Sequence, residues 1–182
     1  MTKKTFVAIK ISPDNNLKNI YQKIKLDFQN DNIKWIDFNN FHITLKYLGV
    51  TKVDKIEEIS SVLEKSISRF SNFELVIKNF GVFPTIKSSR VFWLGIEKNK
   101  TLLDLQKEIN ISLKNFGFPV EKREFKPHLT IARPKVIENN DKIILLKEDF
   151  KDKIICKQKV DRVIFYESNK GYFQLKTYKL ST

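Results

Sequence analysis

The segment Phe41-His-Ile-Thr-Leu-Lys-Tyr-Leu-Gly49 carries a short pattern that occurs a second time in the chain. The second copy is Pro127-His-Leu-Thr-Ile-Ala132, again a histidine, an apolar residue, a threonine and an apolar residue. Together the copies contain both histidines of the 182-residue sequence. Since about one residue in twenty is threonine, chance would place threonine two positions after both histidines about once in four hundred sequences. The doubled pattern therefore predicts a single site built from both copies.

Both copies read as β-strands, in which successive side chains point to opposite faces of the sheet. His42 and Thr44 then share one face, and His128 and Thr130 share one face of the second strand. The apolar residues between them point into the core. If the two strands lie side by side or face each other, they form a cleft that contains two imidazoles and two hydroxyls.

Two opposed histidines can act as base and acid on the two sides of a phosphorus atom near neutral pH. The threonine hydroxyls can stabilise charge on the non-bridging oxygens, and the scheme requires no metal and no cofactor. The alternative is that both are strand histidines bonded to a neighbour. A zinc site lacks the usual ligand spacing, and a Ser-His-Asp triad would leave the second histidine unexplained.

The composition is that of an ordinary globular protein, with 41% hydrophobic and 30% charged residues. No apolar run approaches the roughly 20 residues of a membrane-spanning helix. Met1-Thr-Lys-Lys-Thr5 leads directly into a strand-like stretch without the features of a signal peptide. The single cysteine, Cys156, excludes an intrachain disulfide, so we expect a cytoplasmic location and an inert strand thiol.

The net charge of +13 favours anionic partners such as nucleic acid, although a lysine-rich and asparagine-rich composition can also produce a merely solvated basic surface. Arginine is rare and therefore more informative, because its planar fork binds phosphate in a way that lysine cannot reproduce. The arginines are Arg69, Arg90, Arg123, Arg133 and Arg162.

Hydrophobic periodicity and turn residues predict an α+β fold rather than a doubly wound parallel sheet. No linker divides the chain, so residues 1–182 are expected to form one domain. The predicted strands are 5–11, 34–36, 41–48, 73–83, 90–97, 127–132, 154–167 and 172–180, with Gly49 and Pro134 as strand ends, and the predicted helices are 13–28, 53–70, 101–116 and 143–150.

With their flanks, the two motifs resemble the RNA 2′,3′-cyclic phosphodiesterases, once called 2′-5′ RNA ligases, of the 2H phosphoesterase superfamily. The resemblance rests on residues 41–49 and Arg123-Glu-Phe-Lys-Pro-His-Leu-Thr-Ile-Ala-Arg133. It extends to Gly81-Val-Phe-Pro84, to Arg90-Val-Phe-Trp-Leu-Gly95, to the first strand and to Trp35. The part after residue 134 is the least diagnostic.

The resemblance implies two pseudo-symmetric lobes of antiparallel sheet with outer helices and a central cleft. It implies that water opens the 2′,3′-cyclic phosphate of an RNA end or nucleotide to a 2′-phosphomonoester, with His128 as base and His42 as acid. Thr44 and Thr130 are the expected phosphate ligands. No membrane or obligate protein partner is expected.

Arg133 and Arg123 are further candidates for substrate binding. Arg133 lies five residues after His128, so an unbroken strand would point it away from the cleft, and it reaches phosphate only if the strand bends near Pro134 or the side chain wraps round an edge of the sheet. Arg123 precedes the strand in a loop and can turn inward.

Four other residues are weaker candidates for contact with the substrate. Lys46 shares parity with His42 and is predicted to attract the RNA backbone. Arg90 is a possible substrate contact. Trp35 and Tyr47 could stack a base, but core packing is the favoured interpretation for both.

Three hypotheses remain open. The first is cyclic phosphodiesterase activity on RNA ends. The second keeps the site but changes the reaction, to cleavage of 2′-5′-linked oligonucleotides or reversible 2′-5′ ligation. The third is a non-catalytic RNA-binding module, which would bind in a salt-sensitive way and would not need either histidine.

Overall fold

The computed structural model describes residues 1–182 and contains nine strands and four α-helices. The strands are β1 (Thr2–Lys10), β2 (Asn32–Trp35), β3 (His42–Lys52), β4 (Phe73–Phe83), β5 (Val91–Ile96), β6 (His128–Val136), β7 (Ile154–Val160), β8 (Arg162–Ser168) and β9 (Tyr172–Lys179). The helices are α1 (Asn15–Asp27), α2 (Ile56–Ile67), α3 (Lys100–Ser112) and α4 (Asp141–Asp149).

The strands form two sheets in which every neighbouring pair is antiparallel. A four-stranded sheet has the order β3-β1-β8-β9, and a five-stranded sheet has the order β2-β6-β5-β4-β7. Helices α2 and α3 pack on the first sheet, whereas α1 and α4 pack on the second. The fold is therefore α+β, with one copy of the His-x-Thr pattern in each sheet.

The chain passes several times between the two sheets. For example, β1 lies in the four-stranded sheet, whereas the next element, α1, packs on the five-stranded sheet. One apolar core of 37 buried residues contains side chains from both sheets. The relative position of the two sheets is thus fixed by shared packing.

Local sequence signals explain the starts of α1 and α3. The Asp14 carboxylate accepts a hydrogen bond from the Leu17 amide at 2.8 Å and caps α1. The Asn99 side chain does the same for the Leu102 amide at 2.9 Å and caps α3. Along α1, residues at the spacing of three or four that periodicity predicts are buried: Leu17, Ile20, Tyr21 and Ile24.

Three predictions for the strands are wrong for identifiable reasons, and α2 and α3 end before the predicted residues 70 and 116. The single strand predicted at 154–167 is two strands, since Asp161 separates β7 in one sheet from β8 in the other. Gly49 does not end β3, because its φ of +70° lets the strand continue to Lys52. Pro134 does not end β6; it lies beyond the last pair with β5, so no bond to β5 requires its missing amide hydrogen.

Removing the cap of α1 tests this account of helix initiation. We expect Asp14→Ala to lower the free energy of unfolding by about 1 kcal/mol, because the Leu17 amide loses its acceptor. Urea denaturation measures the change. Asn15→Ala is the control, since Asn15 is exposed and does not cap. Equal stability of the two variants would contradict the capping role.

Candidate active site

The two histidines begin two strands that lie against each other across the cleft. His42 is the first residue of β3 and His128 is the first residue of β6. Both histidines are half-buried, as are Thr44 and Thr130, whereas the apolar residue between each pair is buried. The structure therefore gives both copies the alternation of faces expected from the sequence.

The two imidazoles are held in the same way. The Nδ1 atom of His42 lies 2.6 Å from the carbonyl oxygen of Asn40, and the Nδ1 atom of His128 lies 2.7 Å from that of Lys126. In each case the acceptor is two residues earlier in the chain. Since a carbonyl can only accept, each Nδ1 donates its hydrogen, and the neutral ring carries its lone pair on Nε2.

Aromatic rings hold each imidazole from the side. His42 lies 5.1 Å from the ring centroids of both Phe6 and Tyr172. His128 lies 5.2 Å from Phe83, edge to face, and 6.4 Å from Trp93. These contacts restrict rotation of each imidazole about its Cα–Cβ and Cβ–Cγ bonds.

The electrostatic environment of His42 favours its neutral form. Burial is the main cause that lowers the pKa of His42, and the positive charges of Arg133 and His128 lower it further. The hydrogen bond to the Asn40 carbonyl opposes these effects. The side chains of Arg133 and His128 therefore lie close enough to His42 to influence its protonation.

Arg133 reaches the cleft through an irregularity of β6. Phe92 of β5 pairs with Ala132, but the next residue, Trp93, pairs with Thr130, so β6 contains one extra residue at this point. As a result Ile131 and Ala132 are both buried, and Arg133 returns to the exposed face of Thr130. The expectation for an unbroken strand does not apply, and the bend precedes Pro134.

Strand β3 contains an extra residue of the same kind, and for this reason the prediction for Lys46 is wrong. Val7 and Ala8 of β1 pair with Lys46 and Thr44, so Leu45 is the extra residue and Lys46 turns inward. Lys46 is only 8% exposed.

The ammonium group of Lys46 has a structural role instead. It donates to Asn110 Oδ1 at 2.5 Å and to the Pro119 carbonyl at 2.6 Å. Burial lowers the pKa of Lys46, although the Glu121 carboxylate opposes this effect. Lys46 thus ties β3 to the segment that follows α3, and it is not available to RNA.

Arg123 lies in the loop before β6, at the rim of the cleft. Its guanidinium binds Glu121, with Nε 3.2 Å from Oε1 and Nη2 3.5 Å from Oε2. Hydrogen bonds from the Arg123 amide and guanidinium lower the pKa of Glu121. Arg123 lines a cavity of about 480 Å³ with Thr44 and His128, so it would have to exchange Glu121 for phosphate in order to bind substrate.

The two aromatic candidates differ. Trp35 packs edge to face on Tyr21, with 5.5 Å between ring centroids, and joins the core as the favoured interpretation predicts. For Tyr47 that interpretation is wrong, because this residue is 62% exposed and lines the same cavity as His128. Tyr47 follows His42 by five residues, as Arg133 follows His128.

Sequence reasoning missed the aromatic rings around the histidines. Phe6, Phe83 and Trp93 lie within stretches used for the resemblance, but no local signal showed that they contact His128 or His42. The structure shows why residue 81 is a glycine, because a Cβ atom built there would lie 2.2 Å from the Trp93 ring. The ring thus occupies the space that only glycine leaves open.

Neither Cys156 nor a metal cluster contributes to this site. Cys156 is buried in β7, and burial raises its pKa to about 11. No group of three or more His, Cys, Asp or Glu side chains is arranged to hold a metal ion. None of the helices is both long and apolar enough to cross a membrane.

Comparison with known proteins identifies the family of the chain. Residues 13–171 match the model of the 2′-5′ RNA ligase superfamily. The chain belongs to this superfamily. Solved structures of similar fold include one described as a phosphoesterase, with a TM-score of 0.77 and 21% identity, and E. coli LigT complexed with 3′-AMP, with a TM-score of 0.76 and 21% identity. Each covers 100% of both chains.

Curated relatives in this superfamily carry the name RNA 2′,3′-cyclic phosphodiesterase. The protein of Methanocaldococcus jannaschii is 39% identical over 147 residues, covering 81% of this chain and 80% of its own. Those of Thermotoga maritima and Methanothermobacter thermautotrophicus are 33% and 30% identical. They cover 91% and 90% of this chain, and 86% and 88% of their own.

The lowered pKa of His42 can be measured by NMR titration of the two histidines. We expect His42 to titrate below the ordinary value of about 6.5. Arg133→Gln should raise this pKa, because it removes a positive charge that disfavours the imidazolium. Arg69→Gln is the control, since Arg69 pairs with Glu108 instead. A pKa of His42 that does not respond to Arg133 would contradict the placement of this arginine.

The contact of Trp93 with Gly81 gives a further prediction. Gly81→Ala should displace the Trp93 ring and lower the free energy of unfolding by about 1–3 kcal/mol. Because Trp93 lies against His128, the displacement should also lower kcat. Turnover and urea denaturation measure the two effects. Gly171→Ala is the matched control, because its added Cβ would meet nothing closer than 3.8 Å. If Gly81→Ala behaves like this control, the ring does not position His128.

Proposed function

We propose that the protein is a metal-independent RNA 2′,3′-cyclic phosphodiesterase that produces 2′-phosphomonoesters. The observation that carries the proposal is the matched pair of Nδ1–carbonyl bonds at His42 and His128. They leave two Nε2 atoms for proton transfer, and general acid–base catalysis of an in-line displacement needs such a pair. The names of the curated relatives support the substrate.

The reaction consists of one displacement at phosphorus. His128 Nε2 takes a proton from water while the water oxygen forms a bond to phosphorus. The bond from phosphorus to the ribose O3′ breaks, and protonated His42 gives its Nε2 proton to O3′. The products are a 2′-phosphomonoester and a 3′-hydroxyl, and the two histidines exchange protonation states.

The assignment of His42 as acid follows the family resemblance, and it requires a protonated ring. Burial and Arg133 disfavour that form in the free protein. A bound phosphodiester brings a negative charge beside the ring, and this charge raises the pKa of an imidazole. In the proposed cycle, substrate binding therefore favours the protonated form of His42, which acts as the acid.

Thr44, Thr130 and Arg133 are proposed to stabilise the phosphorane-like transition state. The threonine hydroxyls share the strand faces of the two histidines and can donate to the non-bridging oxygens. Arg133 supplies a positive charge from the same face of β6. Since these groups provide the electrostatic stabilisation, the scheme uses no metal ion.

The same site supports 2′-5′ ligation as a second displacement at the same phosphorus, in agreement with the name of the superfamily. A 5′-hydroxyl of a second RNA would then take the place of water. A binding module without catalysis is less well supported, because binding does not require two rings held with the same tautomer.

Chelator-resistant turnover tests the proposal. In EDTA, the wild type should open a nucleoside 2′,3′-cyclic phosphate to the 2′-monoester. We expect His42→Ala and His128→Ala each to lower kcat by about 10²–10⁴-fold at an unchanged unfolding midpoint. Full activity in either variant, dependence on a metal, or a 3′-monoester product would contradict the mechanism.

The role of the threonine hydroxyls can be isolated at Thr44. Thr44→Val removes the donor at nearly constant volume, and we expect about a hundredfold loss of kcat. Thr44→Ser keeps a hydroxyl and is the matched control. The hydroxyl is not a ligand of the transition state if the two variants show equal turnover.

A further inference from the structure

The five arginines fall into two groups. Three bind a carboxylate: Arg69 with Glu108, Arg123 with Glu121 and Arg162 with Asp161. Arg90 and Arg133 form no salt bridge. An arginine without an acidic partner keeps its guanidinium available for phosphate. Arg133 lies at the cleft, and Arg90 lies beyond it.

Arg90 lines a cavity of about 390 Å³ in which every charged side chain is positive. Lys87 and Lys135 are the other charged residues, and serines and an asparagine supply polar groups. No acidic side chain lines the cavity.

A second basic cavity, of about 410 Å³, differs in this respect. It contains Lys10 and Arg162 but also Asp161, whose carboxylate binds Arg162 at 2.7 and 2.8 Å. The Asp161 carboxylate therefore neutralises part of the positive charge of this cavity. The cavity at Arg90 is therefore the better site for an anion.

Strand β6 connects this cavity to the catalytic cleft. After the extra residue in β6, Arg133 and Lys135 are exposed, and Pro134 between them is buried. A second irregularity of β6 follows, because Asn32 and Ile33 of β2 pair with Val136 and Pro134, so Lys135 is an extra residue two positions after Arg133. The same strand therefore carries His128 and Arg133 at the cleft and Lys135 at the cavity.

We propose that the cavity of Lys87, Arg90 and Lys135 binds a backbone phosphate of the RNA strand that precedes the cyclic phosphate end. The inference rests on the proposed function. A cyclic phosphate occupies the 3′ end, so the rest of the strand leaves the cleft through the 5′ phosphate of the terminal nucleotide. A positively charged face that leads from Arg133 to Arg90 provides a path for it.

The site predicts a preference for oligoribonucleotides over mononucleotides. The experiment compares kcat/KM for a nucleoside 2′,3′-cyclic phosphate with that for a hexaribonucleotide carrying the same end. The wild type should favour the hexamer. The triple variant Lys87→Gln, Arg90→Gln, Lys135→Gln should lower the ratio of the two values by about tenfold, because only the hexamer reaches the cavity.

A charge-matched variant separates this site from the general effect of net charge. Lys65→Gln, Lys107→Gln and Lys114→Gln remove the same charge from exposed positions on and after the outer helices. This variant should keep the hexamer preference of the wild type. An equal fall of the ratio in both triple variants would overturn the proposal, as would a wild type without preference for the hexamer.

Binding of a labelled hexamer, followed by fluorescence anisotropy at several salt concentrations, decides the question independently of turnover. Each phosphate contact to a single strand contributes about 0.7 to the slope of log Kd against log salt, so a cavity variant that no longer binds its one phosphate should lose about 0.7. An unchanged slope would refute the cavity site. If neither substrate is opened, the proposed function fails, and this measurement still decides whether the cavity binds RNA.

Discussion

Two hydrogen bonds from imidazole Nδ1 to backbone carbonyls organise the cleft. At His42 and at His128 the acceptor is the carbonyl two residues earlier, just before the strand begins. The bond fixes the tautomer and directs Nε2 away from its own backbone. Because the bonds come from the backbone next to each strand, the fold itself sets the chemical state of both rings. The aromatic contacts of Phe6 and Phe83 then limit their rotation.

An extra residue in each of β3 and β6 determines which further side chains reach the cleft. It buries Lys46, which regular alternation would place beside His42, and it exposes Arg133, which regular alternation would bury. The equivalent positions five residues after each histidine are Tyr47 and Arg133. The two halves therefore present different chemistry on equivalent scaffolds, an aromatic ring on one side and a positive charge on the other.

The sequence was sufficient to predict the His-x-Thr faces, because only the period of a strand was needed. It could not predict Arg133 or Lys46, since a bulge changes the parity of a strand without any local mark in its hydrophobic pattern. Likewise, residues 154–167 are strand-like throughout. Their division between two sheets at Asp161 depends on pairing with distant strands, β4 and β1. Trp93 and Phe83 were missed for the same reason.

The α+β class and the four helices followed from hydrophobic periodicity, as the buried face of α1 shows. The positions of β3 and β6 across a cleft required the family resemblance, because local patterns do not specify which strands pair. The net charge of +13 was ambiguous in the sequence. The structure distinguishes the arginines by their partners. Three of the five bind a neighbouring carboxylate, whereas Arg90 and Arg133 do not.

The tautomers of the two histidines test the central claim most directly. Long-range ¹H–¹⁵N correlation spectra distinguish a hydrogen on Nδ1 from one on Nε2, and the chain has only two rings to assign. At a pH where both rings are neutral, His42 and His128 should each show a protonated Nδ1 and an unprotonated Nε2. A hydrogen on Nε2 of either neutral ring would contradict the account.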